Sequence, residues 1–481
     1  MRVVLVHPTG SNWLPGRKDI SATANRMAPL GILSMAAWLR AAGTDVAVLD
    51  FLGPGAPVGI EAQTRSILAG KPDMVGISAT TSSFLDGYEL IIKVKRQVPQ
   101  VRTVVGGVHA SALGTALLAQ FPGIDYLCMG EGEQVLQDLA DGRAPQGIPS
   151  LVWRDHGQPI ANAPRAPIAD LDDLPFPAYE KLAGFPARYH LPLFSYIRKP
   201  GATMVASRGC PYQCSYCDRS VFQRGYRYNS AAYVYAHLRH LRRRFGVRHV
   251  NIYDDLFTLH RTRTFDLCDL LTQKPLGLQF NCAVRVGHAD DALLEALKAA
   301  GCLMVSVGIE TGDAELMQVH KPGVGLEAVR DTVQRIQRKK LRVKGLFMMG
   351  LPGETAITIR KTSDFALSLG LDDMNMSKFT PFHGAPIWPR VQGEGVFNEN
   401  WRLMNCLNFV YVPEGVKDRE TLDQLYNTHV KRFYESPAWR RRFLGRLWQH
   451  RWSLWHLQRH WPAFAAAKRN FEPGAAAGEG M

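Results

Sequence analysis

The sequence predicts an α/β protein with a doubly wound parallel sheet, then a partial (β/α)6 barrel, then a helical carboxyl-terminal region. Short apolar strands alternate with amphipathic helical segments over the first 140 residues, a rhythm typical of a doubly wound sheet. Six more strand–helix units begin near residue 201 and indicate the partial barrel. In both architectures ligands bind at the carboxyl ends of the strands, so we expect the functional residues there.

The domain boundaries follow from changes in sequence texture. The strands of the first domain are predicted at "RVVLV", "DVAVLD", "DMVGIS", "RTVVGG" and "IDYLCMG". The segment that follows is rich in proline, which predicts a connector, with a small hairpin near "LVWRDHGQPIA". The predicted units are the first α/β domain at 1–142, the connector at 143–200, the barrel at 201–394, the helical region at 395–470 and a disordered tail at 471–481.

The composition is that of an ordinary globular protein, with 46% hydrophobic and 21% charged residues among 481. No apolar run is long enough to span a membrane, and the apolar start is too short for a signal-peptide core, so we expect a cytoplasmic protein. Five of the eight cysteines lie among apolar neighbours, as buried free thiols do in a reducing compartment: Cys128, Cys268, Cys282, Cys302 and Cys406.

The positive charge is concentrated near the carboxyl terminus. The formal net charge is +14, and residues 431–470 hold ten Lys or Arg against one acidic residue. Within this segment Leu444, Trp448, Trp452 and Trp455 recur at helical spacing with arginines between them. One interpretation is an interfacial helix in peripheral contact with the inner membrane surface. The other is a tryptophan stripe that packs on the barrel while the arginines face water.

Three cysteines share the loop after the first barrel strand. "SRGCPYQCSYCDRS" contains Cys210, Cys214 and Cys217 with C-x₃-C-x₂-C spacing. A structural zinc site is closed by four ligands, and no fourth cysteine or paired histidine lies nearby in the sequence. Three thiolates suit three irons of a 4Fe–4S cluster and leave the fourth iron open for an outside ligand. A zinc site completed from a distant segment and unrelated core cysteines are the alternatives.

This loop resembles the CxxxCxxC loop of the radical S-adenosylmethionine (SAM) superfamily. The resemblance implies that the open iron binds the amino and carboxylate groups of SAM. It also implies that an electron from the cluster, supplied by a donor such as flavodoxin or ferredoxin, cleaves SAM to a 5′-deoxyadenosyl radical. Tyr216, just before the last cysteine, matches the aromatic residue that lies by the adenine.

The resemblance extends along the barrel strands and implies further SAM contacts. Each has a structural alternative, namely a helix cap at Asp255, a solvated loop position for Glu310 and a strand-to-helix turn for Gly350 and Glu354. The implied contacts are Asp254 and Asp255 to the amino group, Arg285 and Glu310 to the carboxylate or ribose, and Gly350 and Glu354 near the adenine.

The amino-terminal domain resembles the cobalamin-binding domain of B12-dependent radical SAM proteins. Four segments at its predicted ligand edge carry the resemblance: "VHPTG", "SATTS", "GGVHA" and "MGEGE". Glycines there let a nucleotide tail lie close to the backbone. The resemblance implies a cobalamin site made of His7, Gly10, Ser78, Thr80, Gly106, Gly107, His109, Gly130 and Glu131.

The role of His7 in that site is open. Free-standing cobalamin domains carry a DxHxxG motif, and in this chain His7 and Gly10 match it while Leu5 replaces the aspartate. A metal-binding histidine is usually oriented by a hydrogen-bond acceptor behind it. Without that aspartate, lining the pocket is the simpler role for His7, and the same holds for His109.

Together the resemblances imply an enzyme that methylates an unactivated carbon of an apolar or natural-product-like small molecule, through methylcobalamin and a 5′-deoxyadenosyl radical. The first alternative is an oxidative cyclase like the anaerobic magnesium-protoporphyrin ester cyclases, and the second is a cofactor-binding regulatory protein. RNA-modifying methylthiotransferases carry three amino-terminal cysteines, whereas this amino-terminal region has Cys128 alone, so we expect no nucleic-acid partner. Phe382, His383 and Pro386 follow the last barrel strand and are candidates for shaping the substrate pocket.

Overall fold

The first sheet has seven strands. The computed structural model describes residues 1–10 and 21–468, so the predicted tail at 471–481 lies outside the described residues. The strand order is β2-β1-β3-β4-β5-β6-β7, with the first five strands parallel. The strands are β1 Arg2–His7, β2 Asp45–Asp50, β3 Met74–Ser78, β4 Arg102–Gly106, β5 Tyr126–Cys128, β6 Leu151–Asp155 and β7 Gln158–Ala161.

Helices cover both faces of this sheet, as a doubly wound domain requires. Residues 3 and 5 of β1 pack with one helix group, and residues 4 and 6 pack with the other, because successive strand side chains point to opposite faces. The helices are α1 Ser21–Ala24, α2 Leu30–Ala41, α3 Ile60–Ala69, α4 Thr81–Gln97, α5 Val108–Leu113, α6 Thr115–Gln120 and α7 Glu133–Ala140.

The hairpin predicted in the connector is confirmed, and it belongs to the first sheet. Strands β6 and β7 pair antiparallel, and β6 also pairs with β5. The sheet therefore continues to Ala161, past the boundary that sequence texture placed at 142. The chain order reverses between β1 and β3, which places a topological switch point, the usual ligand position, at their carboxyl ends.

The second sheet is the predicted partial barrel. Its six strands are all parallel in the order β15-β14-β13-β12-β11-β8, and β9 and β10 form a separate short pair beside the first of them. The strands are β8 Gly201–Met204, β9 Ser207–Arg208, β10 Arg227–Tyr228, β11 His249–Ile252, β12 Gln279–Val284, β13 Cys302–Glu310, β14 Arg342–Met349 and β15 Asp373–Lys378.

Six helices pack outside the barrel strands around a large apolar core. Several begin at a side-chain cap, such as Ser230, whose hydroxyl accepts from Tyr233 N, and Asp290, whose carboxylate accepts from Leu293 N. The helices are α8 Ala231–Phe245, α9 Arg261–Gln273, α10 Asp291–Ala299, α11 Ala314–His320, α12 Leu326–Arg338 and α13 Ala356–Ser368.

The carboxyl-terminal region is mostly helical, as expected. No helix among the described residues is long and apolar enough to cross a membrane. Short 3₁₀ turns lie at Trp401–Leu403 and Leu447–His450. The other elements are α14 Trp388–Val391, β16 Val396–Phe397, β17 Tyr411–Val412, α15 Arg419–Glu435, α16 Pro437–Leu444, α17 Arg451–Arg459 and α18 Trp461–Lys468.

Candidate functional site

The three-cysteine loop lies at the carboxyl end of β8, where the sequence predicted it. Cys210, Cys214 and Cys217 are free thiols of intermediate burial. Burial, the Asp255 carboxylate and the two other thiols raise the pKa of Cys217 to about 12. Thiols that raise one another's pKa in this way are suited to a cationic iron cluster, whose charge stabilises the thiolates.

The donor set fits a cluster better than a single metal ion. No three His, Cys, Asp or Glu side chains of the described segments are arranged to hold one metal ion. A closed zinc site needs four ligands converging on one atom. In a 4Fe–4S cluster each thiolate binds a different iron, so three separated thiols on one loop suffice.

A histidine relay fixes the middle of this loop. His320 Nε2 lies 2.9 Å from the Pro352 carbonyl oxygen, and its Nδ1 lies 2.8 Å from Ser215 Oγ. Because the carbonyl can only accept, Nε2 carries the proton and Nδ1 accepts from the hydroxyl. Burial lowers the pKa of His320, which keeps the ring neutral. The sequence did not reveal this residue, since its partners are distant in the chain.

The two aspartates after β11 point in different directions. Asp254 is buried, and its two carboxylate oxygens accept from Ala206 N at 2.6 Å and Ser207 Oγ at 2.7 Å. It therefore fixes the chain just before the cysteine loop. Asp255 is exposed beside Cys210 and Cys217. The helix-cap alternative for Asp255 is wrong, because α9 begins later and its cap is His260.

Glu310 and Arg285 also lie at the loop. Glu310 forms a largely buried ion pair with Lys321 at 2.9 Å, so the solvated-loop alternative is wrong. It has a positive φ of 69°, a conformation that non-glycine residues rarely adopt. Burial, Glu310 and Cys214 hold the pKa of Tyr216 well above its usual range. The Arg285 guanidinium lies 3.5 Å from the Tyr212 ring centroid.

The glycine turn after β14 is built around Glu354. Its carboxylate accepts from the backbone N of Gly350 at 2.5 Å and of Leu351 at 3.1 Å, and the side chain is buried. The strand-to-helix turn expected as an alternative is therefore present. The same turn supplies the Pro352 carbonyl that anchors His320, so it also supports the cysteine loop.

A glycine-lined cavity lies at the carboxyl edge of the first sheet. This open cavity of about 130 Å³ is bordered by five of the predicted residues, namely Ser78, Gly106, Gly107, Gly130 and Glu131. Other glycines of its wall were not predicted from the sequence, including Gly31, where an added Cβ would meet no atom within 4 Å. Because these positions lack side chains, a flat ligand with a nucleotide tail can approach the backbone.

Predicted cobalamin residues also shape this edge by packing. Gly107 has φ 102°, and a Cβ there would lie 2.5 Å from the Ala79 carbonyl oxygen. Gly10 packs against Ser83, where a Cβ would come within 3.2 Å of the serine Cβ. Thr80 caps α4, and its backbone N donates to Ser83 Oγ at 3.0 Å.

His7 has the orienting acceptor that its motif lacks. Its Nδ1 lies 2.9 Å from Asp50 Oδ1, and Tyr189 donates to the other oxygen of Asp50 at 2.9 Å. Asp50 is the last residue of β2, the neighbouring strand. Because ligands bind at the carboxyl ends of parallel strands, its position in the sequence could have identified it as a candidate. A carboxylate that orients the His7 ring is therefore present, and it comes from a different strand from the one that carries the motif.

His109 lies between the first domain and the carboxyl-terminal region. Burial and His383 lower its pKa to about 3, so the ring is neutral. The His109 ring makes an edge-to-face contact with the Trp401 ring, with the ring centroids 4.4 Å apart. Thr81 Oγ1 lies 3.2 Å from His109 Nδ1. His383 Nε2 lies 2.8 Å from a Glu399 carboxylate oxygen, whereas its buried Nδ1 has no hydrogen-bond partner among the described residues. His109 thus belongs to a packed junction beside the glycine edge.

A buried ion-pair network joins the glycine edge to the cysteine loop. Arg208, two residues before Cys210, binds Glu131 at 2.9 Å and Glu133 at 2.5 Å. Arg227 binds Glu131 at 2.8 Å. The carboxylate of Glu131 is therefore committed to arginines, and we name Glu131, Glu133, Arg208 and Arg227 the interdomain ion-pair network.

Two family models match the chain. The B12 binding domain model matches residues 16–140, and the radical SAM superfamily model matches residues 204–366. An uncharacterised methyltransferase of Pyrococcus horikoshii is 28% identical, over 85% of this chain and 87% of that protein. An anaerobic magnesium-protoporphyrin IX monomethyl ester cyclase of Rubrivivax gelatinosus is 27% identical, over 91% of this chain and 78% of the cyclase.

A solved structure shares the whole architecture. TsrM, a radical S-adenosylmethionine methyltransferase of Kitasatospora setae solved with cobalamin and a 4Fe–4S cluster, superposes with a TM-score of 0.68 at 20% identity. The match covers 91% of this chain and 89% of TsrM, which shows a common fold. Because both family models match and the cysteine loop lies at the expected strand end, the chain belongs to the radical SAM enzymes that carry an amino-terminal B12-binding domain.

Proposed function

We propose that this enzyme transfers a methyl group to an unactivated carbon of an apolar or natural-product-like small molecule. One observation carries the proposal. The glycine-lined cavity has Arg208, Val221 and Phe222 in its wall, and these residues flank the cysteine loop on both sides. The cofactor edge of the first domain and the cluster loop of the barrel therefore face a common space.

The residues of the chain prepare this space for chemistry. When bound, a 4Fe–4S cluster with SAM supplies radical hydrogen abstraction, and cobalamin supplies the methyl group. Cys210, Cys214 and Cys217 would hold the cluster. Asp255, exposed beside the cysteines, is the carboxylate best placed to orient the SAM amino group, whereas Asp254 supports the loop. The interdomain ion-pair network keeps the two halves at a fixed separation, which methyl transfer between them requires.

The chain also needs an electron source and access to its substrate. A low-potential donor such as flavodoxin or ferredoxin would supply the electron.

We further propose peripheral contact with an anionic membrane surface. Leu444, Trp448 and Trp455 are 63%, 69% and 52% exposed, whereas Trp452 packs near Tyr196. Trp452 is thus partly buried beside Tyr196. The exposed remainder of the stripe suits an interface where an apolar substrate dissolves.

The test is anaerobic purification with iron, sulfide and hydroxocobalamin, compared with Cys214→Ala. The native chain should bind about four irons and one corrinoid and release 5′-deoxyadenosine from SAM. The variant should keep its circular dichroism and its corrinoid, because Cys214 is only partly buried and lies on a loop outside the apolar core. It should lose the iron and all SAM cleavage. SAM cleavage by the variant would refute the cluster assignment. A product that is oxidised or cyclised without an added methyl group would favour the cyclase reaction.

A further inference from the structure

A basic cavity lies at the amino-terminal edge of the barrel sheet, at the end opposite the cysteine loop. It has a volume of about 710 Å³, and its wall comes from residues just before β8, β11 and β12, from the last turn of α8 and from the start of α17. Five of the eight lining residues are cationic and none is acidic. The cations are Arg198, Lys199, Arg242, Arg248 and Arg451.

These cations have no carboxylate partners in the part of the chain that the structure describes. Three are held by contacts that leave their charge unpaired. Arg242 Nε donates to the Leu276 carbonyl at 3.1 Å, and Arg198 donates to the Gly277 carbonyl at 3.5 Å. The Lys199 ammonium lies over the Trp452 ring. Burial lowers the pKa of Lys199 to about 8. Lys199 and Arg242 are partly buried, whereas the other three are exposed. Unpaired cations held this close together repel one another unless an anion joins them.

In a neighbouring cavity, side chains of the protein pair with the arginines. It is lined by Lys298, Lys340, Arg342 and Arg446, but Arg446 is ion-paired with Asp372. Arg342 lies 2.9 Å from His450 Nε2 and also donates to Gln449. Side chains therefore supply partners for both arginines of this cavity, whereas the arginines of the basic cavity have no carboxylate partner among the described residues.

We propose that the basic cavity binds a phosphate group, in particular the phosphate of an anionic lipid headgroup. Guanidinium groups match phosphate oxygens with paired hydrogen bonds, and a group of them without carboxylates selects an anion. The lipid source rests on the proposed membrane contact. Trp452 lines the cavity, the exposed Trp455 ring lies 6.2 Å from it, and Arg459 stacks on Trp455 at 5.2 Å. Indoles at the headgroup boundary would bring lipid phosphates to the cavity mouth.

The full chain with Arg248→Gln and Arg451→Gln tests the cavity, because both side chains are exposed and donate no hydrogen bond to another described residue. Lys298→Gln with Lys340→Gln, in the neighbouring cavity, removes the same charge and serves as the control. Binding is measured with inorganic phosphate by calorimetry and with vesicles of phosphatidylglycerol in phosphatidylcholine by sedimentation. The double arginine variant should weaken phosphate binding and vesicle binding about tenfold each. The double lysine control should weaken either by less than about twofold.

The outcomes separate the site from its source. Trp448→Ser with Trp455→Ser should abolish vesicle binding and leave inorganic phosphate binding unchanged, which would support the lipid headgroup. Phosphate binding without binding to vesicles of any composition would keep the phosphate site, assign it to a soluble phosphate and overturn the membrane contact. The phosphate site itself would be overturned if the double arginine variant and the double lysine variant lost phosphate affinity equally. It would also be overturned if the native chain bound no phosphate. None of these outcomes depends on the methyl-transfer reaction.

Discussion

At the scale of single residues, Glu131 joins the two halves of the site. One carboxylate binds Arg208 and Arg227 and accepts from the backbone N of Ile168 at 3.0 Å. Burial raises its pKa, but the hydrogen bonds and charges of the two arginines outweigh burial and lower the pKa below 4.5. A buried carboxylate with these partners is costly to remove, since the arginines would remain buried without it.

Glu131→Gln should therefore lower the free energy of unfolding at pH 7 by about 3 kcal/mol, measured by urea denaturation. The folded-state pKa of Glu131 is depressed, so its stabilisation is present above pH 4.5 and is lost as the pH falls through the folded-state value. The difference between native chain and variant should shrink in acid. Glu89→Gln, which removes an exposed partner of Arg402, is the control and should cost less than about 1 kcal/mol. Equal effects of the two variants would contradict the role of the network.

At the scale of elements, the turn between β14 and α13 connects the barrel to the cysteine loop. Glu354 closes the turn from inside, and its carboxyl is fully buried, which raises its pKa to about 8. The protonated form therefore predominates near neutrality. Since the turn positions Pro352 for the His320 relay, its integrity bears on the geometry of the loop.

Glu354→Gln should change how stability depends on pH. Between pH 4.5 and 8 the folded native chain keeps a proton that the unfolded chain releases, so this group makes native stability fall as the pH rises. The amide lacks this proton, so melting temperatures of the variant should fall less from pH 5 to pH 8. The buried Asp254, with a pKa of about 6, contributes equally to both proteins and cancels in the difference. Parallel pH profiles of melting temperature would show that Glu354 is ionised throughout.

At the scale of the whole molecule, the carboxyl-terminal region clamps the first domain. Trp401 lies among Phe84, His109 and Phe121 with ring centroids 4.4–5.8 Å away. Arg402 forms ion pairs with Asp86 and Glu89 of α4. The first domain is thus held on one side by the interdomain ion-pair network and on the other by this aromatic junction.

Trp401→Ala should release the second of these contacts. We expect unfolding to cost about 3 kcal/mol less, because a partly buried indole and its aromatic contacts are lost. Hydrogen exchange, followed by mass spectrometry, should accelerate in α4 and in residues 398–405 while the barrel strands stay protected. Trp455→Ala removes an indole that is 52% exposed and should leave exchange in both segments unchanged. Uniform acceleration along the chain would contradict a local clamp.

The sequence by itself determined the features that depend on local spacing. Alternating strands and helices predicted both sheets, because hydrophobic periodicity follows the repeat of each element. The three cysteines and the glycines of the first domain were found because they lie on single loops at strand ends. Their roles in binding remain proposals, whereas the loops lie at the predicted edges.

Tertiary structure alone decided how side chains from distant segments combine. Asp50 meets His7 across 43 residues of chain, and Arg227 meets Glu131 across 96. Nearby residues with identical chemistry also diverge. Asp254 turns inward to fix the chain while the adjacent Asp255 faces the cysteines. Trp452 packs near Tyr196 while Trp455, three residues later, is exposed. Local sequence specifies period and chemistry, but the direction and partner of a polar side chain depend on which strands the fold places side by side.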